Sequence, residues 1–335
     1  MPADNNPLTP ATIQRLQAGV APALAMLAGM KLELFTALAA GPATAEQAAR
    51  SLGLDAARLA RLLYALVAAG LLSEADGRFA NSEEADEFLV AGRPGYLGST
   101  HELLSTLWHA DLATADSIRG GAPAALHDFS AASDDETRRF LAGLHANAVA
   151  AGRDLAARFD FSQVRSVIDI GGGSGGLLGA LCEQNPDLRG TVFELPRVAA
   201  IAAPMIREAG LAARIAVESG DILAGPPGGC HEAAVLRAFL QVLSPDDAAR
   251  AVRHAASALR PGGGLFILGS GILDNDRRGP PSAVFMSLTF MNLYRAGASY
   301  TEAEHFAWLE AAGCIEPARI RLANGSSVIR ARRSG

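Results

Sequence analysis

Apolar positions change their period midway along the chain. From residue 11 to 40 they are dense, and Leu24, Leu27, Leu32, Leu34, Phe35 and Leu38 fill more than one side of the helix they predict, up to Gly41-Pro42. Thr44-Ala-Glu-Gln47 has the spacing of a capping box and predicts a short helix to Leu52. Asp55 is placed to cap the next helix, whose stripe Leu59, Leu62, Leu63, Leu66 and Val67 ends at Gly70. Leu71 to Ala80 reads as a hairpin turning at Asp76-Gly77. Helix, turn, helix, hairpin is the outline of a winged helix. Residues 96–160 read as wholly helical around a loop at Gly120-Gly121-Ala-Pro123, and they place Glu102, Trp108, His109 and His145 on helices.

From Phe161 onward, short β-branched runs alternate with helical ones. Strands are expected at 167–170, 191–194, 215–218, 233–236 and 265–268, with a turn at Arg260-Pro-Gly-Gly-Gly264 and a late edge strand at 326–329. This alternation predicts an α/β unit: a Rossmann-like, doubly wound, mostly parallel sheet with helices on both faces. The expected division is residues 1–95 as the winged-helix-like domain, 96–160 as a helical linker, and 161–335 as the nucleotide-binding domain.

The chemistry concentrates in Val167-Ile-Asp-Ile-Gly-Gly-Gly-Ser-Gly-Gly176, a strand, a glycine turn and the start of a helix. The G-x-G-x-x-G spacing of Gly171, Gly173 and Gly176 is weak alone, because dinucleotide enzymes share it. Two acids sharpen it. Asp169 would repel a pyrophosphate and suits a ligand with positive charge, such as the ammonium and sulfonium of S-adenosylmethionine. Glu194 closes the next apolar run, where an acid accepts hydrogen bonds from ribose hydroxyls. Otherwise Asp169 caps the turn and Glu194 is merely solvated. The reading favours a nucleotide, and S-adenosylmethionine over NAD. Gly220-Asp221-Ile222 follows the third strand, where Asp221 can bond an adenine amino group and Ile222 can pack on the ring.

Composition narrows the partners. The 335 residues carry a net charge of −6, which argues against a broad nucleic-acid surface. The helix offering Arg58, Arg61 and Tyr64 could suggest DNA binding, but acids at Glu74, Asp76 and Glu83-Glu84-Asp86-Glu87 would face phosphates unfavourably. Cys182, Cys230 and Cys314 lack metal or disulfide spacing and fit a reducing cytoplasm. Neither the first residues nor the run from Val20 to Met30 has the form of a signal peptide or membrane span, so a soluble, cytoplasmic protein is expected.

Together, Val-Ile-Asp-Ile-Gly-Gly-Gly-Ser-Gly, Phe193-Glu-Leu-Pro-Arg197, Gly220-Asp-Ile-Leu and Leu259-Arg-Pro-Gly-Gly263 resemble the S-adenosylmethionine-dependent O-methyltransferase family. This family includes plant caffeic acid and acetylserotonin enzymes and bacterial secondary-metabolism relatives. The resemblance covers almost the whole chain. It implies a class I methyltransferase fold, a homodimer through the winged-helix domain, S-adenosylmethionine as cofactor, and a small-molecule acceptor of the secondary-metabolite or aromatic/polyketide kind, methylated on O, C or N; no metal site is expected. By the same resemblance, cofactor contacts fall on Asp169, Gly171, Gly172, Gly173, Gly175, Glu194, Leu195, Asp221, Ile222 and Arg237, the last at a position where the family usually has lysine. Trp108, His109, Met291 and Tyr294 fall at the acceptor pocket.

The catalytic pattern departs from the family. Gln241, in Leu240-Gln-Val-Leu243, stands at the position of the family's histidine base, and a carboxamide takes no proton near neutral pH. The supporting glutamates map to Gly269 or Ser270 and to the Ala298-Ser299 region. His145, in Leu144-His-Ala-Asn147, is the candidate to assist the acceptor proton or orient the acceptor; otherwise it packs in the helical core. The alternatives to methyl transfer are another chemistry on the same cofactor, such as hydroxylation or rearrangement, and a winged-helix regulator.

Overall fold

The computed structural model describes residues 8–128, 131–322 and 325–335, and the leader reading at residues 1–7 lies outside them. Two compact units divide the chain, Met1–Leu104 and Ser105–Gly335. The first holds α1 (Ala11–Ala18), α2 (Val20–Lys31), α3 (Leu34–Leu38), α4 (Ala45–Leu52), α5 (Ala56–Ala68), the hairpin β1 (Leu72–Ala75) and β2 (Arg78–Asn81), and α6 (Glu83–Leu89). The run from 11 to 40 is three helices rather than one, because the chain turns at Gly19 and again at Glu33, whose φ of 54° is left-handed. Thr44 and Gln47 close their capping box, and Asp55 accepts a hydrogen bond from the Arg58 N–H. Leu34, Phe35, Leu63 and Leu66 form the centre of this unit's core.

Next come α7 (His101–Leu112), α8 (Thr114–Gly120) and α9 (Asp134–Arg158). The stretch read as wholly helical opens instead into a loop after Gly121, until the Ser133/Glu136 capping box starts α9. Alternation follows with β3 (Ser166–Ile170), α10 (Gly176–Gln184), β4 (Arg189–Glu194), α11 (Pro196–Glu208), β5 (Ile215–Ser219), β6 (His231–Arg237), α12 (Pro245–Ser257) and β7 (Leu259–Gly269). The chain ends with β8 (Ile272–Leu273), α13 (Pro281–Leu293), β9 (Tyr300–Thr301), α14 (Glu302–Ala311), β10 (Cys314–Arg321) and β11 (Ser327–Arg333).

The main sheet runs β10-β11-β7-β6-β3-β4-β5, and its strands from β7 to β5 are parallel. Successive residues feed opposite cores: Ala233, Val235, Phe266 and Leu268 one face, Ala234, Leu236, Leu265 and Ile267 the other. Burial on both faces is why these strands read as unbroken apolar runs. Strand order reverses between β3 and β6, and the crevice at the carboxyl ends of such strands is where α/β sheets bind ligands.

Two sequence expectations are corrected here. The late strand, β11, is not an edge: it lies between β7 and β10 and pairs antiparallel with both. The edge on that side of the sheet is β10, hidden in the sequence because Pro317 and alternating charges interrupt it. Its register shifts between Ile315 and Ala318, where Glu316 takes a φ of 56°. A bulge on an edge strand is where a proline is tolerated. The expected turn at 260–264 is likewise absorbed into β7 as a register shift, with Gly262 at a φ of 78°.

Candidate functional site

The glycine turn between β3 and α10 has left-handed φ at Gly171, Gly173 and Gly175 (70°, 52° and 73°), a conformation that glycine adopts without penalty. Its backbone is tied down on several sides. The Gly171 N–H donates to Phe193 O, and the Gly175 N–H donates to Gly172 O. Glu194, at the end of the neighbouring β4, accepts from the Gly173 N–H at 3.1 Å through Oε1 and from the Leu195 N–H at 3.0 Å through Oε2. Phe239, from the turn after β6, lies against Gly171: a Cβ there would sit 2.6 Å from the ring.

Asp169 is 1% exposed, and its Oδ1 is buried without a hydrogen-bond partner. Burial pushes its pKa up to about 7; Arg237 works against that, and Glu194 adds to it. Arg237 lies one residue past the β3–β6 register pair Ile170–Leu236, on the sheet face that Asp169 also uses. Burial lowers the Arg237 pKa, and Asp169 partly restores it. Burial also raises Glu194 to about 7, against the two backbone hydrogen bonds. Two acids and a base held away from water around a glycine turn are a site poised for a charged ligand. A buried carboxylate oxygen without a partner fits a group with a positive centre and N–H donors, and the lone pairs left on Glu194 fit hydroxyls.

The other sequence-predicted residues border this turn in different ways, and the Gly220 N–H, just before Asp221, donates to Glu194 O at 2.9 Å. Asp221 is exposed, and its carboxylate accepts from the Leu223 N–H at 2.8 Å. Ile222 is 4% exposed and packs in the core cluster that holds Ala251 and Val252. Leu195 is exposed beside Glu194. His145, half-buried on α9, shares a 2.9 Å hydrogen bond through Nδ1 with Ser174 Oγ, inside the glycine turn. Sequence inspection missed Ser174 as its partner, because a 29-residue separation leaves no periodic signal.

The second turn follows β6. Ala238 takes a φ of 50°, and a single 3₁₀ turn, Leu240–Val242, carries Gln241 half-buried. The Gln241 carbonyl accepts from the Ala298 N–H at 3.0 Å, and the Tyr300 hydroxyl donates to Leu243 O at 2.5 Å. A Cβ on Gly271 would meet Phe290, the Gln241 Cβ and the Ser299 Oγ. The positions beside Gln241 are therefore Gly271 and Ser299, one residue past the expected 269–270 and within the expected 298–299. On α13, Met291 is half-buried, and burial lifts the Tyr294 hydroxyl to about 12. That helix is tied to α7 and its neighbour through Thr289 to Asp111 (2.8 Å) and Asn292 to Thr114 (2.8 Å). On α7, Trp108 is half-buried and His109 is exposed.

Residues 119–314 match the family described as the O-methyltransferase domain, and residues 15–91 match the O-methyltransferase dimerisation domain. The chain belongs to the S-adenosylmethionine-dependent O-methyltransferase family. This methyltransferase is 34% identical over 323 residues to 3-hydroxy-5-methyl-1-naphthoate 3-O-methyltransferase of Streptomyces sahachiroi, covering 94% of this chain and 92% of that one. It is also 32% identical over 230 residues to aclacinomycin 10-hydroxylase RdmB of Streptomyces purpurascens, covering 65% and 61%. In fold it matches human N-acetylserotonin methyltransferase in complex with SAM, with a TM-score of 0.85 at 22% identity over the whole of both chains. Among the described residues, no group of His, Cys, Asp and Glu is placed to hold a metal, and no helix is long and apolar enough to cross a membrane.

Proposed function

We propose that this methyltransferase acts on a hydroxyl of a small aromatic acceptor of the naphthoate or polyketide class, and that it does so by positioning, without a side-chain base at position 241. The observation that carries the reading is the pair of turns at the carboxyl ends of β3 and β6. One is lined by buried charge; the other carries only an amide. S-adenosylmethionine, when bound, supplies a methyl group on a sulfonium. The chain's part is to hold it: the Gly171, Gly172, Gly173 and Gly175 backbone lets it approach, Asp169 and Arg237 face its charged end, and Glu194 and Leu195 border its ribose, with Asp221 at the base. Trp108, His109, Met291 and Tyr294 border the acceptor. Gln241 donates to or accepts from the acceptor and orients it, but takes no proton. A base contributes about 10²–10⁴-fold, a loss that an acidic phenol withstands because positioning supplies much of the rate.

The experiment is transfer of labelled methyl to a panel of hydroxynaphthoates, other phenols, amines and activated carbons, with formation of S-adenosylhomocysteine as the readout. Transfer to phenols supports the reading; transfer confined to carbon or nitrogen sinks it. A second reading, hydroxylation on the same scaffold, is favoured by the similarity to a 10-hydroxylase together with the non-basic Gln241. Oxygen-dependent product without methyl transfer would establish it.

The assembly we propose is a homodimer through residues 11–95. Ile13, Leu16, Val20 and Leu24 lie 60%, 60%, 57% and 51% exposed at helical spacing on α1 and α2. An apolar stripe of this kind left in water marks an association surface. Leu16→Asp with Val20→Asp should halve the mass seen by light scattering, and a wild-type monomer at micromolar concentration would count against the proposal.

A further inference from the structure

One face of α9 meets the glycine turn. It repeats as Leu141, His145, Ala148, Gly152 and Leu155, and apart from the half-buried His145 these are buried. At one end, a Cβ on Gly173 would lie 3.1 Å from Leu141. At the other, a Cβ on Gly152 would lie 2.5 Å from Leu177 O, so the α9 and α10 backbones touch there. Between these contacts the His145 ring packs on Gly176, where a Cβ would lie 3.0 Å from Nδ1, and the same Nδ1 bonds Ser174 Oγ at 2.9 Å. Ser174 is 7% exposed and sits between Gly173 and Gly175, both left-handed. The amides on either side of it are held by Glu194 and by Gly172 O, and its own side chain is held from α9 by His145.

We propose that His145 is a positioning residue for the cofactor: through Ser174 Oγ it holds the middle of the Gly173–Gly175 segment from the α9 side, between the two amides that Glu194 and Gly172 O already fix, and it takes no proton from the acceptor. This inference rests on the reading of Gly171–Gly175 as the cofactor cradle. Nδ1 is committed to Ser174, and the ring is wedged against the first turn of α10. Burial lowers the His145 pKa, which favours the neutral ring beside that helix N-terminus. A neutral imidazole offers one donor and one acceptor, and either suits a serine hydroxyl.

Calorimetric titration with S-adenosylhomocysteine, using the full chain, tests this with His145→Ala, His145→Asn, Ser174→Ala and the double variant His145→Ala/Ser174→Ala. Initial rates are taken alongside on the best phenol of the panel. Loss of one part-buried hydrogen bond should weaken binding about five- to tenfold in His145→Ala and in Ser174→Ala. The double variant should be no weaker than the weaker single one, since the two residues act as a unit. His145→Asn, whose amide reaches the position of Nδ1, should recover binding to within about twofold while turnover at saturating cofactor stays near wild type.

Unchanged binding in both single variants overturns the proposal. A tenfold fall in turnover with unchanged binding returns His145 to the acceptor. Additive losses without rescue by asparagine reduce it to packing. Glu194→Ala separates the premise: if that variant binds S-adenosylhomocysteine like wild type, the cradle reading fails and takes the proposal with it. If it loses binding while the His145 and Ser174 variants do not, only the positioning role falls. Should His145→Ala not fold, Ser174→Ala and His145→Asn decide the outcome.

Discussion

The turns after β3 and after β6 lie side by side at the carboxyl ends of two paired strands, yet they are built by different means. The first is made of backbone: three left-handed glycines, amides fixed by Phe193 O and Glu194, and buried charge at Asp169. The second is made of borrowed neighbours. Gln241 is held through its carbonyl by Ala298, its 3₁₀ turn is fastened by the Tyr300 hydroxyl, and Gly271 and Ser299 stand beside it. Phe239 joins the two by lying on Gly171. A turn whose ligand contacts come from the backbone tolerates little change in shape. A turn that presents one side chain against others can change chemistry while the fold stays put.

If that contrast holds, the largest effect should follow from adding one methyl group to the first turn. Gly171→Ala forces a left-handed alanine, costing about 1–2 kcal/mol, and drives its Cβ into Phe239, adding about 1–3 kcal/mol. Binding of S-adenosylhomocysteine should fall roughly a hundredfold in calorimetry. A loss of less than threefold would break the comparison.

Glu194→Ala comes next. It removes the acceptor for two amides and, on the proposed reading, for the ribose hydroxyls, and binding should weaken by more than about tenfold, the weight of one or two hydrogen bonds. At the second turn, Gln241→Asn keeps the amide but shortens its reach. The KM for the acceptor should rise about three- to tenfold, with cofactor affinity unchanged and the pH profile of turnover unmoved. A new inflection in that profile would mean that the amide's neighbourhood holds a titrating group after all.

The smallest effect is on stability. Burial raises Asp169 in the folded protein from 3.8 to about 7, so folding favours its protonated form. The stability linked to that proton is complete below about pH 4 and is lost as the pH rises through about 7. In the absence of cofactor, the Tm of Asp169→Asn relative to wild type should therefore rise across that window, by at least about 3 °C between pH 4 and pH 8, whatever constant offset follows from removing the partner of Arg237. Glu194 is also raised to about 7, chiefly by burial, and since the two acids interact the difference reports the loss of Asp169 together with its effect on Glu194. A Tm difference that does not vary with pH would show that Asp169 is not the buried charge described here.

Much of the first turn is legible in the amino-acid sequence. Helix caps at Thr44 and Asp55, the parallel strands and the glycine turn are short-range features, and local sequence carries their physics: a side chain bonding an amide three residues on, or a glycine free to take positive φ. The same locality identifies Glu194, since an acid ending the second strand sits beside the first turn in any such sheet. What the tertiary structure alone decided involves partners far apart in the chain. It placed β11 inside the sheet and β10 at its edge, committed Ile222 to the core, set Gly271 and Ser299 beside Gln241, and brought His145 to Ser174. It also raised the pKa values of Asp169 and Glu194, because loss of water around a carboxylate is a property of every segment packed over it and not of the few residues beside it in sequence.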